Sequence, residues 1–184
     1  MAIGLWIGVG AGVFVLGSFV YYYNRFVVLE NRIKNSLAQI DVQLKKRADL
    51  VPSLIKVVKG YAKHESTIMA DVTKARSEML KAGNIAGKVK AGDKLQNALK
   101  SIFAIAENYP QLKANENFLH LQKELAAIED KVAYARQYYN DGVMYLENAS
   151  QRFPGVLFFK LYGRESKEYL KIPESSKAMP KIDL

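Results

Sequence analysis

The stretch Ile3–Tyr23, IGLWIGVGAGVFVLGSFVYYY, carries no charged side chain, and the rest of the chain is organised around it. A helix of about twenty residues rises roughly 31 Å, which matches the hydrocarbon thickness of a bilayer. The stretch therefore predicts a transmembrane helix. No basic residue precedes it and no small-residue cleavage pattern follows it, which favours a retained anchor over a removable signal peptide.

The residues at the end of this stretch predict its orientation. Tyr21–Tyr23 stand where aromatic rings favour the headgroup region, and the basic residues Arg25 and Arg32 follow. By the positive-inside rule, we expect a single-pass protein of the cell membrane, with its N-terminus outside and its body in the cytoplasm.

Glycines recur on one face of the predicted anchor, at Gly4, Gly8 and Gly12. A spacing of four places them on one side of the helix, where a second backbone can approach closely. The pattern predicts self-association in the membrane. The alternative is that these three glycines have no special role. Glycine is common in membrane helices, and Gly10 and Gly17 lie off this face.

Composition limits the classes of function. The chain of 184 residues leaves roughly 160 outside the bilayer, enough for one domain with its own core. It contains no Cys, which excludes disulfides, thiolate metal sites and cysteine nucleophiles. The formal net charge of +9 predicts attraction to the anionic lipids of the inner leaflet. Acidic residues are mixed with the basic ones and no nucleic-acid motif occurs, so nucleic acid is not a predicted partner.

Beyond the anchor, apolar residues follow a helical period without an intervening turn, so anchor and first body helix are predicted to be continuous. The apolar face is Phe26, Leu29, Ile33, Leu37, Ile40, Leu44, Val51, Leu54 and Val58. Pro52 predicts a kink, with the chain turning between Gly60 and His64. The alternative is a reversal near Asp49, with Asp49 as the N-cap of a new helix.

Three further helices are predicted. The second starts at Ser66 or Thr67 and ends at Gly83, and residues 81–93 form a basic, flexible connection. The third carries Leu95, Leu99, Ile102, Ala106 and Tyr109 on one side and stops at Pro110.

The fourth predicted helix has the most regular pattern, with apolar or small residues at alternating steps of three and four. They are Phe118, Leu121, Leu125, Ile128, Val132, Ala135, Tyr139, Gly142, Leu146, Ala149 and Phe153. This pattern predicts a coiled-coil-like seam, packed against either another helix of the chain or a neighbouring subunit. The fold class is therefore all-α, an anchor (1–24) continuous with an antiparallel, up-and-down four-helix bundle (25–153), followed by an aromatic segment and polar tail (154–184).

A short aromatic segment follows the fourth helix and is too short to span a bilayer. Its large side chains are Phe153, Leu157, Phe158, Phe159 and Tyr162, edged by basic residues. We expect these side chains to contact the membrane interface or, alternatively, to fold back over one end of the bundle. From Pro173 on, the chain is polar and predicted to be disordered.

No catalytic residue, cofactor site or metal site is predicted. His64 with Glu65 lacks further ligands at a suitable spacing, and His120 with Glu124 is typical of a surface pair one helical turn apart. No glycine-rich phosphate loop and no nucleophile with a placed base occurs.

Three residues inside the predicted helices carry polar groups that need an explanation. If Arg47 is buried, it needs a carboxylate from another helix, at Asp71, Glu107 or Glu129. The alternative is that the seam opens there and Arg47 reaches water. Tyr139 and Asn140, in the middle of a helix, predict an interhelical hydrogen bond rather than a binding site.

Residues throughout the body resemble the LemA family. The motif positions that carry this resemblance, and to which we assign structural roles, are Asp41, Arg47, Asp49, Pro52, Gly60, Glu65, Arg76, Pro110, Arg136, Tyr139 and Asn140. The resemblance implies a prokaryotic protein with one membrane helix and a cytoplasmic four-helix body, and it brings no settled biochemical activity. The family often has a second Tyr-Asn pair, where this chain has Tyr145 and Leu146, so we expect no role that depends on a repeated pair.

The sequence thus predicts a non-enzymatic scaffold that self-associates at the cytoplasmic face of the membrane. Its predicted partners are the lipid bilayer and further copies of itself. The alternatives are an adaptor or regulator of another membrane protein, such as a protease or sensor kinase, and a membrane-shaping protein.

Overall fold

The computed structural model describes residues 2–171, which form six helices and no strand. The helices are α1 (Ala2–Tyr61), α2 (Ser66–Lys81), α3 (Ile85–Ala106), α4 (Pro110–Lys113), α5 (Glu116–Gln151) and α6 (Gly155–Leu161). The predicted all-α class and the long apolar N-terminal helix are confirmed. The up-and-down four-helix arrangement and the division into 1–24, 25–153 and 154–184 stay predictions. The tail from Pro173, predicted to be disordered, lies outside the described residues.

The apolar stretch continues into the body as one helix, α1, with Pro52 inside it. Val51, Leu54 and Val58 on either side of the proline are all buried, so packing of this face continues past the residue that cannot donate a backbone hydrogen bond. The chain turns after Tyr61, as predicted for the Gly60 region. The alternative reversal near Asp49 is wrong.

The predicted flexible connection over residues 81–93 is wrong, because α3 already begins at Ile85. The Asn84 side chain caps the helix by accepting a 2.7 Å hydrogen bond from the Gly87 amide. Gly92 is buried, and a Cβ built on it would lie 2.6 Å from Leu44 Cδ2. Two of the glycines that resembled a loop, Gly87 and Gly92, therefore serve a cap and a close helix contact.

The fourth predicted helix exists as α5, but it ends at Gln151. Phe153, predicted as the last residue of its seam, is 80% exposed, and the prediction is wrong there. Gly142 does lie in the seam, and a Cβ built on it would be 3.0 Å from Ile33 Cγ1. At this position the partner of α5 is therefore α1 of the same chain.

Residue contacts divide the chain into two compact units, and α1 and α5 contribute to both. The first unit contains residues 2–36 and Gln137–Tyr169, with a core of Phe26, Leu29, Ile33, Tyr139, Val143, Leu146 and Ala149. The second contains Leu37–Arg136 and Leu170, with a core that includes Ile40, Leu44, Val51, Leu54, Val72, Met79, Leu95, Leu99, Ile102, Leu112, Phe118, Leu125 and Val132.

Candidate functional site

The apolar stretch of α1 is the first candidate site. It is strongly apolar and none of it is buried within the chain, so by length and composition it can cross a membrane. Positions Gly4, Gly8 and Gly12 form an open face, because no heavy atom lies within 4 Å of a Cβ built on any of them. The predicted glycine face is thus accessible to a second helix.

A cluster of rings, here called the aromatic collar, surrounds the end of this stretch within the first unit. It joins Phe19, Tyr22, Tyr23 and Phe26 of α1 to Phe158, Phe159 and Tyr162 at α6. Phe158 stacks on Tyr22 with ring centroids 5.3 Å apart, and the Tyr162 hydroxyl donates a 2.7 Å hydrogen bond to the Phe19 carbonyl. Ring contacts of this kind each add about 0.5–1.5 kcal/mol beyond area burial. α6 is therefore held against the last turns of the apolar stretch.

Arg164 closes one side of the collar. Its guanidinium lies 5.4 Å from the centroid of the Tyr23 ring and forms a 2.5 Å ion pair with Glu30. The sequence prediction missed this pair. The available signal was Glu30 itself, the one acidic residue between the anchor and Asp41.

The five residues predicted for a membrane interface divide into two groups. Phe158, Phe159 and Tyr162 face α1 in the collar, in agreement with the alternative that the segment folds back. Phe153 and Leu157 are exposed, together with Leu161 of the same segment. One face of the segment therefore packs on α1, and its other, apolar face is exposed.

Arg47 is the centre of the second candidate site, in the second unit. Its side chain is fully buried and forms an ion pair with Glu129 of α5, and its Nη1 donates a 3.4 Å hydrogen bond to the Gly92 carbonyl of α3. Burial lowers the pKa of the guanidinium, and the charge of Glu129 opposes this shift. Of the two alternatives, burial of Arg47 against a carboxylate of another helix is confirmed and access to water is wrong; of the three candidate carboxylates, Glu129 is the one that pairs with it.

A second ion pair joins α5 to α3. Arg136 of α5 contacts Asp93 of α3 at 2.5 Å, and the charge of Arg136 further lowers the pKa of Arg47. The Nε atoms of both arginines are buried and have no hydrogen-bond partner among the described residues. Ion pairs with a buried partner contribute little net stability but are costly to break, so we expect this network to constrain the register of α1, α3 and α5.

Other motif positions also link elements of the second unit. Asp41 of α1 pairs with Lys88 of α3 at 2.7 Å, and Glu65 accepts a hydrogen bond from the Tyr109 hydroxyl at 3.4 Å. Pro110 begins α4, where a missing N–H is tolerated. Asp49 and Gly60 are exposed.

Pro52 and Arg76 form a complementary pair. Because Pro52 has no N–H, it cannot donate to the Ala48 carbonyl one turn earlier in α1. Arg76 of α2 supplies the donor, with its Nε 2.7 Å from that carbonyl oxygen. Ala48 is fully buried, so the arginine satisfies a group that water cannot reach.

We expect Arg76→Met to lower the free energy of unfolding by about 1–2 kcal/mol, the cost of an unsatisfied buried acceptor. In a Pro52→Ala background the same change should cost clearly less, because the alanine N–H can donate to Ala48. Chemical denaturation of the four proteins of this double-mutant cycle measures the difference, with Lys74→Met as an exposed control on α2. Equal costs in both backgrounds would contradict the pairing.

Tyr139 does not form the predicted interhelical hydrogen bond. Its hydroxyl donates to the Glu168 carbonyl at 2.9 Å, in the non-helical segment after α6. Burial raises the pKa of this hydroxyl, and the Glu168 carboxylate adds to the shift. Asn140 beside it is half-buried. Tyr139 therefore fastens the segment that follows α6 to α5 within the first unit.

Two open grooves lie between α1 and α5 in the second unit, with volumes of about 430 and 550 Å³. The first is lined by residues of both charge signs, and the second includes His120. His120 Nε2 lies 3.8 Å from Glu124 Oε1, and both side chains are exposed. Within residues 2–171 no group of three or more potential metal ligands of the His, Cys, Asp and Glu types comes together.

The chain is similar to curated magnetosome proteins from two organisms. "Magnetosome protein MamQ 2" of Paramagnetospirillum magneticum is 24% identical over 144 residues, which are 64% of this chain and 53% of that protein. "Magnetosome protein MamQ" of Magnetospirillum gryphiswaldense is 23% identical over 173 residues, 80% of this chain and 64% of that protein. The chain thus spans between about half and two thirds of the length of these relatives.

The buried ion pairs and α6 both fall in the part of the chain that a family model recognises, whereas the α1 residues of the collar precede it. That model, described as "LemA family", matches residues 36–184. A match over most of the sequence shows that this chain belongs to the LemA family.

Proposed function

We propose that the protein is a non-enzymatic scaffold that anchors in a membrane through the apolar stretch of α1 and self-associates there. The observation that carries the proposal is the open glycine face of a stretch whose side chains are unburied within the chain. An apolar surface of this size is stable only against lipid or another protein. Small residues in register allow two membrane helices to approach closely.

The proposed cytoplasmic location of the body rests on the positions of the charged residues. Arg25, Arg32 and Lys34 follow the apolar stretch directly and are exposed, and the chain carries a formal net charge of +9. Basic residues beside a membrane helix favour the cytoplasmic side and anionic lipids. We accordingly propose that the body lies at the inner surface of the cell membrane, and that the buried ion pairs hold α1, α3 and α5 together within the second unit.

We expect Gly8→Leu to weaken self-association by about tenfold or more, because a leucine side chain prevents close approach of two helices at this face. The mass of the full-length protein in mild detergent, by size-exclusion chromatography with light scattering across a dilution series, measures the effect. The native protein should form an assembly larger than its 20.7 kDa chain, and Gly8→Leu should shift it toward that chain mass.

Gly10→Leu is the matched control, because it makes the same substitution off the glycine face. An assembly that both substitutions leave unchanged would exclude the glycine face as the interface. A native protein that is monomeric at all concentrations would overturn the scaffold and favour the adaptor, to be pursued through proteins that co-purify with it.

A further inference from the structure

The exposed face of α6, together with Phe153 just before it, is an apolar surface that the proposed function does not use. Phe153, Leu157 and Leu161 are 80%, 59% and 69% exposed, and the two leucines lie one helical turn apart on the same face. From Asn148 to Gly163 the sequence contains no acidic residue, and the basic residues Arg152 and Lys160 in this range are exposed. The surface is therefore apolar with a basic edge.

The position of this surface identifies what covers it. The opposite face of α6 forms the aromatic collar with residues 19–26 of α1, so α6 is fixed at the end of the apolar stretch. Phe19 lies about one turn, ~6 Å, before Tyr23, and Phe26 lies about one turn after it. When the apolar stretch spans a bilayer, this depth is the boundary between acyl chains and headgroups.

We propose that α6 is an interfacial membrane element that inserts Leu157 and Leu161 below the headgroups of an anionic leaflet. Arg152 and Lys160 bind the lipid phosphates at the same depth. Amphipathic helices with an apolar face and basic residues at its edge lie in the interface in this way. Because the collar holds α6 against α1, the first unit contacts the membrane through two helices: α1 crosses the bilayer and α6 lies at its surface.

This inference rests on the membrane placement of α1 in the proposed function but not on self-association. The native chain contains a single tryptophan, Trp6, in the apolar stretch, and it reports on the anchor. A Trp6→Phe/Leu161→Trp protein reports on α6, and Trp6→Phe/Leu119→Trp reports on an exposed leucine of the second unit. Circular dichroism verifies that each protein retains its helix content.

Each full-length protein is reconstituted into phosphatidylcholine–phosphatidylglycerol vesicles that contain lipids brominated either near the headgroup or near the chain end. We expect the tryptophan at 161 to be quenched about twofold more strongly by the shallow bromines than by the deep ones, because an interfacial side chain lies ~5–10 Å below the headgroups. The tryptophan at 119 should be quenched much less by either lipid.

Each outcome decides between the proposals. Quenching at 161 no stronger than at 119, with Trp6 quenched, overturns the α6 proposal alone. A tryptophan at 161 that is shielded from aqueous iodide but not quenched by lipid would mean that a second copy or another protein covers α6, and this also overturns it. Loss of quenching at both Trp6 and 161 would instead overturn the membrane placement of α1.

The chemistry of the lipid is tested separately. In vesicles without phosphatidylglycerol we expect weaker shallow quenching at 161, and Lys160→Gln should remove most of the difference between the two lipid mixtures. Quenching that is the same in both mixtures would contradict the role of the basic edge.

Discussion

A Glu129→Leu variant should unfold with a free energy about 3 kcal/mol lower than that of the native protein, because it leaves the Arg47 guanidinium charged and fully buried without its carboxylate. Removing one partner of a buried pair typically costs about 3–5 kcal/mol. We expect the lower end of this range, since the Glu129 side chain is 34% exposed and Arg47 keeps a hydrogen bond to the Gly92 carbonyl. Chemical denaturation followed by far-UV circular dichroism in mild detergent measures the loss.

Two further variants separate the buried charge from loss of packing. Asp130→Asn removes an exposed carboxylate next to Glu129 on α5 and should change stability by less than about 0.5 kcal/mol. An Arg47→Met/Glu129→Leu double variant removes both charges and should recover most of the loss, since apolar replacement of a buried pair is often neutral. If Glu129→Leu costs no more than Asp130→Asn, the pair is not a structural constraint.

Apolar periodicity predicted the parts of this fold that depend on burial alone. The face from Phe26 to Val58 is one side of a continuous helix, because a period near 3.6 signals an amphipathic helix whatever it packs against. The same pattern marked Arg47 as an exception. It could name three candidate carboxylates but not choose Glu129, since the choice depends on which helices meet, a long-range property that spacing does not contain.

The wrong predictions arose where one local composition is compatible with two different structures. Glycine and lysine over residues 81–93 are typical of a loop, but Asn84 caps a helix there and Gly92 accommodates Leu44 of α1. In the same way, Phe153 continues the heptad spacing of α5 but follows its last residue, because the chain turns before Pro154. The Arg164–Glu30 pair was missed, since it depends on how the segment after α5 packs against α1.

A Gly155→Ala variant should detach α6 from α1. The first atom that the new side chain would meet is the Ala149 carbonyl oxygen, 2.2 Å from the built Cβ, and Tyr22 Cε1 lies at 2.9 Å. A backbone carbonyl in the last turns of α5 cannot rotate away as a flexible side chain would, so α6 itself must move. Overpacking of this kind costs about 1–3 kcal/mol, and the contacts between Phe158 and Tyr22 would be lost with it.

Hydrogen–deuterium exchange of the amides in α6 measures this detachment. We expect exchange to accelerate by up to about a hundredfold, the factor that corresponds to ~2.7 kcal/mol of local opening. Gly83→Ala is the matched control, because nothing lies within 4 Å of a Cβ at that position, and it should leave the exchange of α6 unchanged. Native exchange rates in Gly155→Ala would show that α6 does not depend on this close approach.

The same variant connects the collar to the membrane contact. If α6 reaches the interface only because the collar holds it there, Gly155→Ala should reduce the shallow quenching of a tryptophan at 161 toward that of one at 119, while Trp6 remains quenched as in the native protein. Undiminished quenching at 161 after detachment would mean that the segment binds lipid by its own composition, as a basic amphipathic peptide can. The collar would then position the first unit on the membrane without being needed for lipid binding.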